Sequence, residues 1–174
     1  GPGPPGPAGG VAGGGAGGGG GGVGVGDGGG AGDALRLIGG DRVGHTHRVP
    51  TMFHRLLGGG PAVRARNDTS SLRYVIHGAA PCPVAVKSAL IEWLGPVVYE
   101  YYSGSEGVGF CAIGPEEWLA HPGSVGRSLL APVHIVDDDG NEVPTRIEGQ
   151  SWFEIASKFE YHGDPEKTAA AFDH

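Results

Sequence analysis

The sequence predicts an α/β fold with a parallel-strand crossover core followed by a C-terminal β-rich part. Two observations carry that prediction. Leu72–His77 and Val97–Tyr102 are β-rich runs, and between them Pro83–Leu94 has helical spacing and clear punctuation. Pro83 suits the first helical position, Gly95 suits the residue past the end, and Pro96 forbids continuation. Val86, Leu90, Trp93 and Leu94 share one helical face, which should be the buried one. Strand, helix and strand at this length make a right-handed crossover between two parallel strands. Both carboxyl ends then lie on the same sheet edge, where open α/β sheets bind ligands. The loops Gly78–Pro81 and Ser103–Gly107 leave from those ends and should face one crevice.

The chain has 174 residues, enough for one domain of ordinary size, and residues 1–32 reduce what can build it. That stretch holds 20 of the 37 glycines and a single charge, Asp27, so it cannot bury enough apolar surface to offset the entropy of ordering it. It lacks the strict Gly-every-third period of collagen. The expectation is a disordered tail, or a corrupted, frame-shifted reading of an ordinary helix and strand of which Val23 and Val25 are relics. Resequencing the gene tests the second idea. A net charge of −7 with no basic run argues against nucleic acid as a partner. Cys82 and Cys111 have no metal or disulfide-framework spacing, which reads as a reducing cytoplasm. No apolar run reaches membrane-spanning length.

From the N-terminal side, Ala34–Ile38 reads as a short helix capped by Asp33. Val43–Val49 reads as a strand whose alternation puts His45 and His47 on one face. With no third ligand nearby, those histidines read as structural. Pro50–Leu57 reads as a helix with Met52, Phe53, Leu56 and Leu57 in the core. Gly58–Ser71 reads as a loop ending in the turn chemistry of Asp68-Thr-Ser-Ser71. Beyond the crossover, Val108–Ile113 is an expected strand and Pro115–Ala120 a short helix with Trp118 buried. Val133–Val136 and Ser151–Ile155 are further strands. Asp137-Asp-Asp-Gly-Asn141 is a hairpin turn, since the spacing of an EF-hand calcium loop, with its glycine and terminal glutamate in register, is absent. Asp164 is a natural cap for a helix over Pro165–Phe172.

Four segments, in order along the chain, bear a family resemblance. His77-Gly-Ala-Ala-Pro81 is similar to the adenine-contacting Gly-Ala-Ala-Pro motif of adenylate-forming acyl-CoA synthetases. Tyr102-Ser-Gly-Ser-Glu106 is similar to that family's Tyr-Gly-x-Thr-Glu motif, and His121-Pro-Gly-Ser-Val-Gly-Arg127 resembles its Pro-Gly-Ser-Val-Gly segment. Asp164-Pro-Glu-Lys-Thr168 resembles the segment before its hinge. Val49-Pro-Thr-Met-Phe53 with His54-Arg-Leu-Leu57 also fits the bacterial fatty-acyl branch. Arg127 reads as a surface charge or as a brace for the nucleotide loop, and the sequence does not choose between them.

The resemblance implies a fragment of the family's large domain, with residues 33–130 as its α/β nucleotide-binding part and 131–174 as its β-rich part, truncated before the hinge. It implies ATP, Mg2+ and coenzyme A, with a small fatty or aryl carboxylate as substrate. Gly78, Ala79, Ala80 and Pro81 would border the adenine, together with Tyr101 and Tyr102. Ser103, Gly104, Ser105 and Glu106 would contact the phosphates. Ser105 keeps the hydroxyl of the usual threonine for the α-phosphate, and Glu106 would be the magnesium ligand; these two carry the catalytic assignment. His77, Gly78 and Gly107 would border the acyl pocket. Ser103 replaces the family's glycine and would crowd the loop if that position needs positive φ. Thr145-Arg-Ile-Glu-Gly-Gln150 departs from the expected Gly-Glu-Ile-Gly. The phosphate loop, ribose-binding aspartate, hinge and C-terminal lysine would fall outside this chain, so no catalysis is expected from it alone.

Two rival readings remain open at this point. Ser103-Gly-Ser-Glu-Gly107 is one residue from the nucleophile elbow of α/β-hydrolases, with Ser105 as nucleophile and Asp137 and His162 following in order. That elbow must lead into a helix, whereas Gly107-Val-Gly-Phe-Cys111 reads as extended. The other is a non-catalytic nucleotide-binding remnant.

Overall fold

Tyr74–His77 and Val98–Ser103 pair as parallel strands, joined through a helix over Val84–Leu94. This is the expected crossover. The structure is a computed structural model that describes residues 31–154 and 158–172, with the backbone of residues 22–23. Numbered in chain order, the elements are β1 (Gly22–Val23), α1 (Ala31–Gly40), β2 (Val43–Arg48), α2 (Pro50–Gly58), α3 (Gly60–Arg66), β3 (Tyr74–His77), α4 (Val84–Leu94) and β4 (Val98–Ser103). They continue as β5 (Phe110–Ile113), α5 (Pro115–Ala120), β6 (Arg127–Ser128), β7 (Val133–Val136), β8 (Gln150–Phe153) and α6 (Pro165–Ala170). The chain divides into two compact units, residues 1–100 with 113–124, and residues 101–112 with 125–174.

In the first unit, β1, β2, β3 and the start of β4 form a parallel ladder. The register sets His45 opposite Tyr74, His47 opposite Ile76, and His77 opposite Glu100. β1 contains Val23, whereas Val25 and most of the Gly-rich tract lie outside the described residues. The helix expected at Ala34 starts earlier, at Ala31, so Asp33 sits in its first turn instead of capping it. Leu35 and Ile38, three residues apart, point into the core with Phe53, Leu56, Val75, Leu90 and Val98. Phe53 is fully buried, but Met52 on the same helix is exposed.

Two expectations need correction here. Gly58–Ser71 is not all loop. Gly60 takes φ +73° after α2, Pro61 occupies the first turn, and α3 follows. Proline at the start and alanine and arginine in the body favour that helix, yet none of its residues is buried, so no apolar stripe announces it. The fully buried residues of α4 are Val86, Lys87, Leu90 and Ile91, while Trp93 and Leu94 pack against the core half-buried. Trp93 is half-buried, with the Arg64 guanidinium carbon 5.6 Å from its ring centroid. Pro83 is the residue before the helix (ψ 135°), and Gly95 beyond it has φ +83°.

In the second unit, β5 pairs with β6 and β7 pairs with β8, both antiparallel. β8 faces β7 with Ser151 opposite Ile135, which fixes its register; Ile155 of the expected strand lies outside the described residues. The Asp137 carboxylate accepts from the backbone N–H groups of Asp139 and Asn141, closing the expected turn with Gly140 at φ +81°. Trp118 on α5, in the first unit, is 1% exposed as expected.

Candidate active site

The loop after β3 begins with a buried Gly78, then turns through Ala79 at φ +66° before exposed Ala80 and Pro81. A left-handed alanine is uncommon and strained by about 1–2 kcal/mol. It bends the chain just past the end of the ladder. Behind the turn, burial pushes the Cys82 thiol up to about 11, with Glu100 adding to the shift, so this cysteine stays protonated at neutral pH.

Beneath that loop, at the carboxyl end of the ladder, lies a charged cluster the sequence reading missed. Lys87 is fully buried and its Nζ donates to Glu100 Oε2 at 2.6 Å. The ammonium also stands 4.7 Å from the Trp118 ring centroid. His77, fully buried beside them, has Nε2 3.5 Å from the same carboxylate oxygen, too far for a good hydrogen bond. Neither His77 ring nitrogen has a hydrogen-bond partner among the described residues. Burial lowers the His77 pKa to about 4, and Lys87 and His47 push it the same way, so the imidazole is neutral. The signal was present in the sequence. Strand alternation puts Glu100 on the inward face of Val98, and Lys87 adjoins Val86 on the apolar side of α4.

The loop after β4 is shaped by its own polar groups. Ser103 Oγ donates to the Gly109 carbonyl at 3.1 Å, and the Gly107 N–H donates to the Gly104 carbonyl at 3.1 Å. Ser103 does not take positive φ, so the feared crowding does not arise; the left-handed positions of this loop are Gly107 and Gly109. Ser105 lies in the turn, which runs on to the strand β5 and not into a helix, so the hydrolase elbow has no helix here. Tyr101 stacks on Phe110 with ring centroids 5.6 Å apart, and exposed Tyr102 lies near-parallel to Phe153 at 6.3 Å.

Glu106 is exposed and held by a residue the sequence reading did not single out. The Tyr161 hydroxyl donates to Glu106 Oε1 at 2.8 Å. That bond, with a second from the backbone N–H of Glu106 itself and a smaller pull from Lys167, keeps the Glu106 carboxyl below the ordinary carboxylate range, so it is ionised at neutral pH. Its other oxygen lies over Gly104, where an added Cβ would come within 2.9 Å of Oε2. Among the described residues no group of three His, Cys, Asp or Glu side chains could hold a metal. A cation at Glu106 would therefore complete its shell with phosphate oxygens and water, which is how magnesium is commonly held beside nucleotides. The hard, ionised oxygen donor fits that role.

A parallel crossover, a small-residue turn after one strand and a Ser-Gly-Ser-Glu turn after the next define an adenylate-forming architecture. Residues 18–157 match the AMP-binding enzyme family, and the chain belongs to it. Human mitochondrial acyl-coenzyme A synthetase ACSM5 is 33% identical over 130 residues, covering 71% of this chain and 22% of that protein. The amide bond synthetase McbA from Marinactinospora thermotolerans superposes with a TM-score of 0.69 at 30% identity, over 82% of this chain and 30% of that one. The N-terminal domain of FACL13 from Mycobacterium tuberculosis gives 0.63 at 28% identity, over 82% and 36%. The chain thus spans about a fifth of the length of its human relative. Among the described residues no helix is long and apolar enough to cross a membrane.

Proposed function

We propose that this chain is the nucleotide-contacting part of an acyl-CoA synthetase of the bacterial fatty-acyl branch. Residues 33–130 would be its α/β part and 131–174 its β-rich part. The observation that carries the reading is Glu106, an ionised carboxylate fixed by Tyr161 within a Tyr-Ser-Gly-Ser-Glu turn. The human relative is named an acyl-coenzyme A synthetase, which supports the reaction class. Val49–Phe53 with His54–Leu57 supports the branch, and with it fatty acid metabolism. The free thiols Cys82 and Cys111 support a reducing cytoplasm.

The reaction has two steps. A substrate carboxylate attacks the α-phosphorus of ATP and pyrophosphate leaves, giving an acyl-adenylate. The coenzyme A thiolate then attacks the acyl carbon and AMP leaves. The protein's part is positioning and charge stabilisation. Gly78, Ala79, Ala80 and Pro81 would border the adenine and Tyr102 would flank its ring, with Tyr101 in the same nucleotide-binding set. Ser103 and Gly104 shape the phosphate turn, and the Ser105 hydroxyl donates to an α-phosphate oxygen. Glu106 would hold magnesium, which when bound neutralises phosphate charge. His77, Gly78 and Gly107 border the acyl group; a neutral His77 adds no charge there. The chain spans about a fifth of the length of its human relative, and neither step is proposed to be completed by it alone.

Thermal unfolding of the chain with Mg·ATP, and with a non-hydrolysable acyl-adenylate mimic, tests the reading. A ligand present at a hundred times its dissociation constant stabilises by about 2.7 kcal/mol and raises the midpoint. Glu106→Gln should lose the magnesium-dependent share. No shift with either ligand, together with labelling of Ser105 by a serine-reactive phosphonate, would overturn it in favour of the hydrolase.

A further inference from the structure

We infer that Tyr161 is a positioning residue for Glu106, fixing the carboxylate so that Oε2 is the oxygen presented to a nucleotide-bound cation. The inference rests on the nucleotide reading of the Ser103–Glu106 turn and extends it to a residue 55 positions away in sequence. Both partners belong to the same compact unit.

Three observations combine. The Tyr161 hydroxyl donates to Glu106 Oε1 at 2.8 Å, and the carboxylate also accepts from the backbone N–H of Glu106 itself. A Cβ added at Gly104 would come within 2.9 Å of Oε2, so the glycine leaves room for the carboxylate beside the turn backbone. The phenol is itself held. The Tyr161 N–H donates to Thr168 Oγ1 at 2.9 Å, and its carbonyl accepts from the Asp164 N–H at 3.1 Å. Lys167 Nζ stands 4.0 Å from its ring centroid, and Phe159 meets the ring edge-on at 5.2 Å. A half-buried tyrosine gripped at its N–H, carbonyl and ring, with only its hydroxyl directed at a neighbouring carboxylate, is built to orient that carboxylate. Groups that hydrogen-bond a metal's carboxylate ligand typically change metal affinity by 10–100-fold when removed.

The test uses the 174-residue chain and Mn·ATP as the probe, with binding read from Mn2+ magnetic resonance and from ATP titration without metal. Tyr161→Phe keeps the ring and removes only the hydroxyl. Its Mn·ATP affinity should fall about tenfold while metal-free ATP binding is unchanged. Unchanged Mn·ATP affinity in Tyr161→Phe, with a loss in Glu106→Ala, would overturn the positioning role and leave the nucleotide reading standing. If neither the parent chain nor its variants bind ATP in a metal-dependent way, the nucleotide reading itself fails. Side-chain NMR couplings of Glu106 then decide the positioning contact alone. One rotamer in the parent chain and averaging in Tyr161→Phe supports it. Averaging already in the parent chain, or a single rotamer retained in the variant, overturns it.

Discussion

Lys87 Nζ and Glu100 Oε2 lie 2.6 Å apart, both side chains withdrawn from solvent, with the Trp118 ring closing one side of the ammonium. Neither charge could occupy that position without the other. The carboxylate offsets the loss of the ammonium's hydration, and breaking such a pair leaves an uncompensated buried charge.

Removing one partner should therefore cost far more than removing both. Lys87→Met alone is expected to lower unfolding stability by roughly 3–5 kcal/mol. Lys87→Met with Glu100→Leu should recover most of it, because the site then becomes an ordinary apolar contact. Urea unfolding of the two single variants and the double variant completes the cycle. A double variant as unstable as the sum of the singles would contradict the pairing.

Acid should destabilise the first unit through His77. Its folded pKa, about 4, lies below the ordinary 6.5, so the unfolded chain takes up a proton the folded chain refuses. Stability from this group is complete above pH 6.5 and declines as pH falls towards 4, by roughly 3 kcal/mol at most. Urea midpoints across that window should flatten in His77→Asn. An unchanged pH slope would place the acid sensitivity elsewhere.

His134 acts in the opposite direction. Its ring nitrogens face the Glu142 and Glu154 carboxylates, the second at 3.0 Å, and these two raise its pKa. A raised pKa favours the folded state below 6.5, and that contribution is lost as pH climbs through the folded value. Amide exchange in the β7–β8 ladder, corrected for intrinsic rate, should accelerate as pH rises above 6.5 in the parent chain. His134→Gln should abolish that pH dependence; if the acceleration persists, the ion pairs do not stabilise the hairpin.

Gly109 is expected to tolerate no side chain. It has φ +62°, and an added Cβ would fall 2.1 Å from Phe153 Cδ1. Gly109→Ala combines backbone strain with overpacking and should cost about 2–4 kcal/mol. Gly109→Ala with Phe153→Ala should return part of it. Equal melting temperatures for Gly109→Ala and the parent would exclude this packing.

Much of the architecture was legible because it depends on local chemistry. Pro83 and Gly95 bracket α4, Asp164 accepts from the Lys167 N–H at the head of α6, and Pro115–Ala120 forms its helix with Trp118 inside. α3 escaped because an exposed helix shows no apolar period. In the candidate site, the turns could be read from motif spacing. Tyr161 could not, since nothing in a sequence pairs residue 161 with residue 106 before the chain folds. Buried Lys87 went unnoticed because a lysine between Val86 and Ser88 looks like a solvated charge until its glutamate partner is seen.

The serine at position 103 turns an apparent defect into an asset. Its hydroxyl ties the neck of the turn by reaching across to the Gly109 carbonyl, so the intervening backbone forms a small closed ring. A turn fastened in this way has fewer shapes to lose, so part of the ordering cost that weakens recognition by loops is met before any ligand binds. A chain carrying glycine at 103 would bend there more freely.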